Sequence, residues 1–229
     1  MATFVLVHGA TAGGWRWHEF AGLLRNLGHV VYAPSLTGLG DRAHLIAPTV
    51  SLDTHVQDIA GLIETEDLHS VVLVGHSYGG IVISAAAEHA HGRLEQLVYV
   101  DALVLQDGER AVDLYDAELV EQVALVVEKF GEGWKIPPLT GADPRCTSHP
   151  VSTFRQVVHL RSPKAAALAK CFIACTRRDA GDPVMQGVAR SVDRVHTLGW
   201  PLFELDADHN PMTTAPMQLL HALLTATQR

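Results

Sequence analysis

Gly75-His76-Ser77-Tyr78-Gly79 is the stretch of this chain best suited to chemistry. It follows the apolar run Ser70-Val71-Val72-Leu73-Val74 and precedes Gly80-Ile81-Val82-Ile83-Ser84-Ala85-Ala86-Ala87. Strand, sharp turn and helix is the setting in which G-x-S-x-G presents a serine nucleophile. The turn strains the serine backbone and exposes its hydroxyl, and glycine two residues to either side avoids a clash. The helix N-terminus behind the turn offers free N–H groups to a developing negative charge.

A serine hydroxyl is a weak nucleophile at neutral pH, so it needs a base within reach and an acid to orient that base. In a parallel sheet such partners follow the C-terminal ends of strands. His209, in Leu205-Asp206-Ala207-Asp208-His209-Asn210-Pro211, is the one histidine after Ser77 on a loop just past a clear strand. His196 precedes a strand, His159 lies in an irregular region, and His89 and His91 end a helix. The side chain of His76 should point away from that of Ser77. For the acid, Asp179 in Cys175-Thr176-Arg177-Arg178-Asp179-Ala180-Gly181-Asp182-Pro183 is favoured, with Asp182 and Asp101 as alternatives. Asp206 and Asp208 sit too near His209 along the chain to turn back onto its ring. Two backbone N–H donors should face the oxyanion: Tyr78, and Ala10 in the loop His8-Gly9-Ala10-Thr11-Ala12-Gly13-Gly14. Gly9 permits close backbone approach. A dinucleotide site is not expected on this loop, because G-x-G-x-x-G is absent and no acidic residue ends the second strand.

These residues need a frame. Phe4-Val5-Leu6-Val7 reads as a strand buried on both faces. Residues 15–27 read as a helix that Gly28 ends in a left-handed cap, with Trp15 and Trp17 packing it. Val30-Val31-Tyr32-Ala33 is the second strand, and Ser51 caps a helix reaching about residue 64. Residues 71–74 form the third strand and 78–90 the helix behind Ser77. Residues 94–100, 172–175 and 201–205 are the fourth, fifth and sixth strands, and a last helix covers about 215–226. Strands alternating with helices imply an α/β fold, a parallel sheet with helices on both faces. The exception is about 103–170, which has no obvious sheet strand. It carries Leu119, Val120, Val123, Val127 and Phe130 at helical spacing and is then broken by Gly131, Gly133, Pro137, Pro138 and Gly141. We read it as a lid inserted into one domain spanning 1–229. Within it, Ser148-His149-Pro150 reads as a helix cap rather than a substrate contact. Leu103, Tyr115, Phe154 and Met212 are candidate pocket residues beside Tyr78.

The chain has 229 residues, enough for one domain of this type, with 48% hydrophobic and 18% charged residues. A net charge of −8 argues against a nucleic-acid partner. No run of about 18 apolar residues predicts a membrane span. A strand starting at Thr3 leaves no room for a signal peptide. The three cysteines do not suggest a disulfide framework: Cys171 and Cys175, four apart in a strand, lie roughly 13 Å from each other. With Cys146, they suit a reducing cytoplasm. Fourteen histidines are scattered without H-E-x-x-H, and no C-x-x-C occurs, so neither a metal nor a cofactor is expected.

With Ser77, His209 and the His8-Gly9 loop in place, the chain resembles the α/β-hydrolase superfamily. It is most similar to the branch of plant methylesterases, (S)-selective hydroxynitrile lyases and bacterial esterases. The shared stretches are Phe4-Val5-Leu6-Val7-His8-Gly9-Ala10, Gly14-Trp15-Arg16-Trp17, Leu27-Gly28-His29-Val30-Val31 and Val72-Leu73-Val74-Gly75-His76-Ser77-Tyr78-Gly79-Gly80. The resemblance implies an acid in a Thr-x-x-Asp context, which Thr176-Arg177-Arg178-Asp179 fits. It also implies that the chain begins at the third of the superfamily's usual eight strands, leaving six in the order second, first, third, fourth, fifth, sixth. The lyases carry Thr at the Gly9 position and Lys at the Asn210 position, so the resemblance implies hydrolysis rather than cyanohydrin cleavage. The expectation is a serine hydrolase acting on a small carboxylic ester through an acyl-enzyme. Another serine-triad hydrolase or a small-molecule receptor on the same fold is the alternative.

Overall fold

A computed structural model of the chain describes residues 1–177, 182 and 185–227. Among these, the strands are β1 (Thr3–Val7), β2 (Val30–Tyr32), β3 (Val71–His76), β4 (Leu94–Val100), β5 (Lys135–Ile136), β6 (His149–Pro150), β7 (Ala169–Cys175) and β8 (Leu202–Leu205). Six of them pair in parallel in the order β2-β1-β3-β4-β7-β8, the order that the family resemblance implied. β5 and β6 form a separate antiparallel ribbon.

The strands alternate sides, and the two faces bury different helices. Val5, Val7, Leu73, Leu97, Tyr99 and Phe172 pack with α2 (Leu52–Thr65), α3 (Gly79–Ala90) and α7 (Gln186–Leu198). Phe4, Leu6, Val72, Val74, Val98, Ile173 and Cys175 pack with α1 (His18–Asn26), α8 (Pro211–Thr214) and α9 (Pro216–Thr227). Covering both faces explains why the strands read as unbroken apolar runs. Local signals set the ends. Ser51 accepts a hydrogen bond from the Thr54 N–H and closes a capping box on α2. Gly28, at φ +84°, turns the chain after α1. Residues 14–17 form a short 3₁₀ turn before α1 rather than its first turn. The last helix, α9, spans the expected residues, and a short helix, α8, precedes it; each starts at a proline. The amphipathic helix α7 is the one long element that the sequence reading did not assign.

Between β4 and β7 the chain leaves the sheet for α4 (Ala117–Phe130), the β5–β6 ribbon, α5 (Ser152–Arg155) and α6 (Pro163–Ala166). β1 is flanked by β2 on one side and β3 on the other, so the loops after β1 and β3 part and open a crevice at the strands' C-terminal ends. The excursion between β4 and β7 lies over that crevice. No described helix is long and apolar enough to cross a membrane.

Candidate active site

Ser77 stands between β3 and α3 with φ at +53°, the left-handed region that costs a non-glycine residue about 1–3 kcal/mol. The turn is over-determined. The Ser77 N–H reaches the Val100 carbonyl at 3.3 Å, and its own carbonyl accepts from the N–H groups of Gly80 (3.0 Å) and Leu103 (2.9 Å). The flanking glycines are sterically required: a Cβ on Gly75 would lie 2.6 Å from the Gly79 oxygen, and one on Gly79 would lie 2.7 Å from the Val7 oxygen. Gly9 is equally tight, since a Cβ there would meet Ser77 Cβ at 2.9 Å and His76 Nδ1 at 3.1 Å.

His209 follows β8, and its Nδ1 donates to Asp101 Oδ2 at 2.7 Å. Asp101 is fully buried at the end of β4, with φ at +43°. Its Oδ1 accepts the Cys175 N–H at 3.0 Å, and its own N–H donates to the Ile173 carbonyl at 2.8 Å. Of the three candidate acids, Asp101 is thus the one the structure places on the His209 ring. Asp179 itself lies outside the described residues. Asp182 sits near Tyr115, whose hydroxyl is pushed above the usual tyrosine value by burial first and then by the Asp182 charge. A signal for Asp101 was present in the strand register. His76 pairs with Val100, so the next residues, Ser77 and Asp101, leave adjacent strands side by side.

His76 has a part that sequence reasoning missed. Its ring does turn from the nucleophile, but Nε2 donates to the His209 carbonyl at 2.6 Å and the two rings lie 4.7 Å apart. It therefore anchors the loop that carries the base. Asp208 fastens the same loop from the other end, accepting from the Asn210 N–H and the Thr214 hydroxyl.

The donors expected for an oxyanion, the N–H groups of Ala10 and Tyr78, have no hydrogen-bond partner among the described residues outside regular ladders. His8 aims the first. Its Nδ1–H holds the Gly9 carbonyl at 2.8 Å, while its Nε2 accepts the Leu36 N–H at 3.1 Å. In a trans peptide the Ala10 N–H then points the opposite way. The Tyr78 side chain is buried beneath the site and hydrogen-bonded to His55 Nδ1 at 2.9 Å.

Four buried histidines surround these groups. Burial pushes His8 down to about 4 and lowers His55. His76 and His149 lie well below the usual histidine value, from burial first and then from neighbouring imidazoles. All four are neutral at pH 7.

Ser77, His76 and His209 open into one cavity of about 580 Å³, walled by Val112, Tyr115, Leu119, Val120, Val123 and Phe154, with Arg16, Asp143 and Arg155 among its polar lining. Tyr115 and Phe154 thus line it as expected. Leu103 and Met212 do not: both are buried in the core, Leu103 because its N–H is tied to Ser77 at once after β4, Met212 because α8 turns it under the sheet. His149 is a cavity residue in β6 and not a helix cap; Val151 occupies the cap position of α5. Phe130 ends the α4 stripe exposed, outside the cavity. Cys146, Cys171 and Cys175 are free thiols, the last two buried. Among the described residues no group of three His, Cys, Asp or Glu side chains is placed to hold a metal. The arrangement suits acyl transfer: a strained serine, an imidazole held by a buried carboxylate, and free N–H groups at a helix start.

Comparison with known proteins agrees with this geometry. Residues 4–223 match the model of the alpha/beta hydrolase family, and the chain belongs to that family. It is 47% identical over 124 residues to the carbendazim hydrolyzing esterase of Nocardioides sp. (strain SG-4G), covering 54% of this chain and 51% of that protein. It is 25% identical to methylesterase 18 of Arabidopsis thaliana, over 97% of this chain and 96% of that one. Among the curated relatives at 30% identity or more, the chain spans about half their length or less. A solved extracellular alpha/beta-hydrolase from a Paenibacillus species superposes with a TM-score of 0.86 over the whole of both chains at 23% identity. That structure is described as sharing structural and functional homology with tobacco salicylic acid binding protein 2. The six-stranded parallel sheet is thus the α/β-hydrolase fold.

Proposed function

We propose that the protein is a serine esterase that cleaves a small carboxylic ester through an acyl-enzyme. The observation that carries this is the buried Asp101–His209 pair opening into the same cavity as the strained Ser77. With Nδ1–H given to Asp101, the His209 Nε2 is the basic nitrogen. It takes the Ser77 proton as the hydroxyl oxygen attacks the ester carbonyl. The tetrahedral oxyanion is met by the N–H groups of Ala10 and Tyr78 at the positive end of α3. His209 then protonates the departing alcohol, and water activated by the same nitrogen releases the acid.

Relatives named as esterases and methylesterases support an ester substrate. A cavity of about 580 Å³ with apolar walls suits an acyl or alcohol group of aromatic or medium-chain size. The excursion between β4 and β7 supplies most of that wall, and we read it as a lid within a single domain. Gly9 leaves the oxyanion site open, and Asn210 brings no cation for a departing cyanide, which favours hydrolysis over cyanohydrin cleavage. The three free cysteines favour a reducing compartment, the cytoplasm.

The test is a fluorophosphonate probe together with a panel of p-nitrophenyl esters and methyl esters of aromatic acids. Ser77 should be labelled in the unaltered protein, and Ser77→Ala should lose label and about 10⁴–10⁶ in kcat. Turnover that survives in Ser77→Ala removes the serine-esterase reading.

A further inference from the structure

Thr11 immediately follows the Ala10 N–H assigned to the oxyanion, and its backbone is left-handed at φ +59°. A threonine is not held there by its own preference. Both of its backbone groups are gripped from the excursion between β4 and β7. Its carbonyl accepts the Thr147 N–H at 2.8 Å, and its N–H donates to His149 Nδ1 at 3.3 Å. Together with the His8 bond to the Gly9 carbonyl, three consecutive peptide planes of this loop are each fixed by a hydrogen bond.

His149 is fixed in turn. It is fully buried, and its Nε2–H donates to Thr153 Oγ1 at 2.8 Å while that hydroxyl donates to the Pro150 carbonyl at 2.9 Å. Its ring packs edge-on against Tyr78 at 4.8 Å, the residue carrying the second oxyanion N–H, and against Phe154 at 5.3 Å. One side chain therefore touches both halves of the oxyanion site, 138 residues from Thr11 along the chain.

We infer that His149 is a positioning residue that sets the two oxyanion donors, so that the site is complete only when the segment around β6 is seated on the loop after β1. The inference rests on the esterase reading. Its consequence is specific to the transition state. Substrate can bind in the apolar cavity without this bond, but the oxyanion needs Ala10 N–H in place. Removing a whole donor costs about 10²–10³ in kcat, and a misplacement near 1 Å costs about 10²-fold.

The experiment compares three variants on the best ester from the panel. His149→Phe keeps a ring against Tyr78 and Phe154 but lacks Nδ1; kcat should fall about 10–100-fold while KM stays within about threefold. A boronic acid that mimics the tetrahedral adduct should lose affinity in parallel, and the product acid should not. His149→Asn retains an acceptor near Nδ1 and should recover most of kcat. Thr153→Val frees the imidazole and should lower kcat several-fold at constant KM. Thr153→Val carries the test if His149→Phe does not fold, and an unchanged kcat in it then overturns the inference. So does a folded His149→Phe with kcat within twofold of the parent, a loss confined to KM, or an Asn variant as damaged as Phe. An unaltered protein that turns over no ester removes the underlying reading and this inference with it.

Discussion

Acidifying the protein from pH 7 to pH 5 should cost it much of its stability, through histidines that cannot accept a proton in place. His8 shows the reason most directly. Its Nδ1–H is committed to the Gly9 carbonyl, and its Nε2 lone pair is committed to the Leu36 N–H. A proton on Nε2 would face a donor that cannot turn away. Burial thus lowers His8 from 6.5 to about 4. The sign follows from proton counting. Between those values the unfolded chain binds a proton that the folded chain refuses, so stability falls as pH falls below 6.5 and stops falling near 4. At pH 5 the gap of 1.5 units is worth about 2 kcal/mol from this residue alone. His55, His76 and His149 are shifted in the same direction. Their contributions add to that of His8 with the same sign, against a whole-domain stability of about 5–15 kcal/mol. Urea unfolding at pH 7, 6 and 5, at constant ionic strength, measures this directly. The expected slope between pH 6.5 and 5 exceeds one proton, or about 1.4 kcal/mol per pH unit. A slope below one proton would show that these histidines do charge within the fold and would refute the reasoning.

Two further outcomes bear on the chemistry. Asp101→Asn should lower kcat about 10⁴-fold with the fold retained, since an amide on Nδ1 favours the wrong tautomer, whereas Asp182→Asn should have little effect; a loss under tenfold for Asp101→Asn returns the acid to another residue. Gly9→Ala should lower kcat about 10²–10³-fold, because its Cβ, 2.9 Å from Ser77 Cβ, forces nucleophile and oxyanion loop apart; unchanged ester turnover would place the oxyanion elsewhere.

The frame was largely legible because its determinants are local. Apolar runs bounded by Gly and Pro located the six sheet strands, their parallel sense followed from the alternation with helices, and their order from the family resemblance. The nucleophile was legible for the same reason: Gly75, Ser77 and Gly79 are within one turn of each other. His209 followed from being the next residue type needed after a strand end. The pieces that escaped are those whose signal is weak along the chain. The β5–β6 ribbon has two residues per strand, too few to show a period. α7 begins beside a segment rich in Gly, Asp and Pro that masks its start. Leu103 and Met212 read as pocket candidates from their place after strands, but side-chain direction there is set by one tertiary hydrogen bond or one helix turn.

The preference for Asp101 among the candidate acids, and the part of His149, were hidden for a deeper reason, which concerns what a single side chain must join. A carboxylate after the fifth strand of the sheet satisfies every local criterion for orienting His209. Asp101 satisfies one that is not local. Its two oxygens reach the Cys175 N–H at the end of β7 and the His209 ring after β8, while its backbone belongs to β4. It ties three successive strand ends together, so the base is positioned against the sheet itself. His149 does the equivalent across the cavity, joining a segment over the site to the loop beneath it. In both cases the residue type is ordinary and its neighbours in sequence are uninformative. The function lies in which distant backbone groups the side chain closes, and only the register between β3 and β4 offered a way to read even half of that in advance.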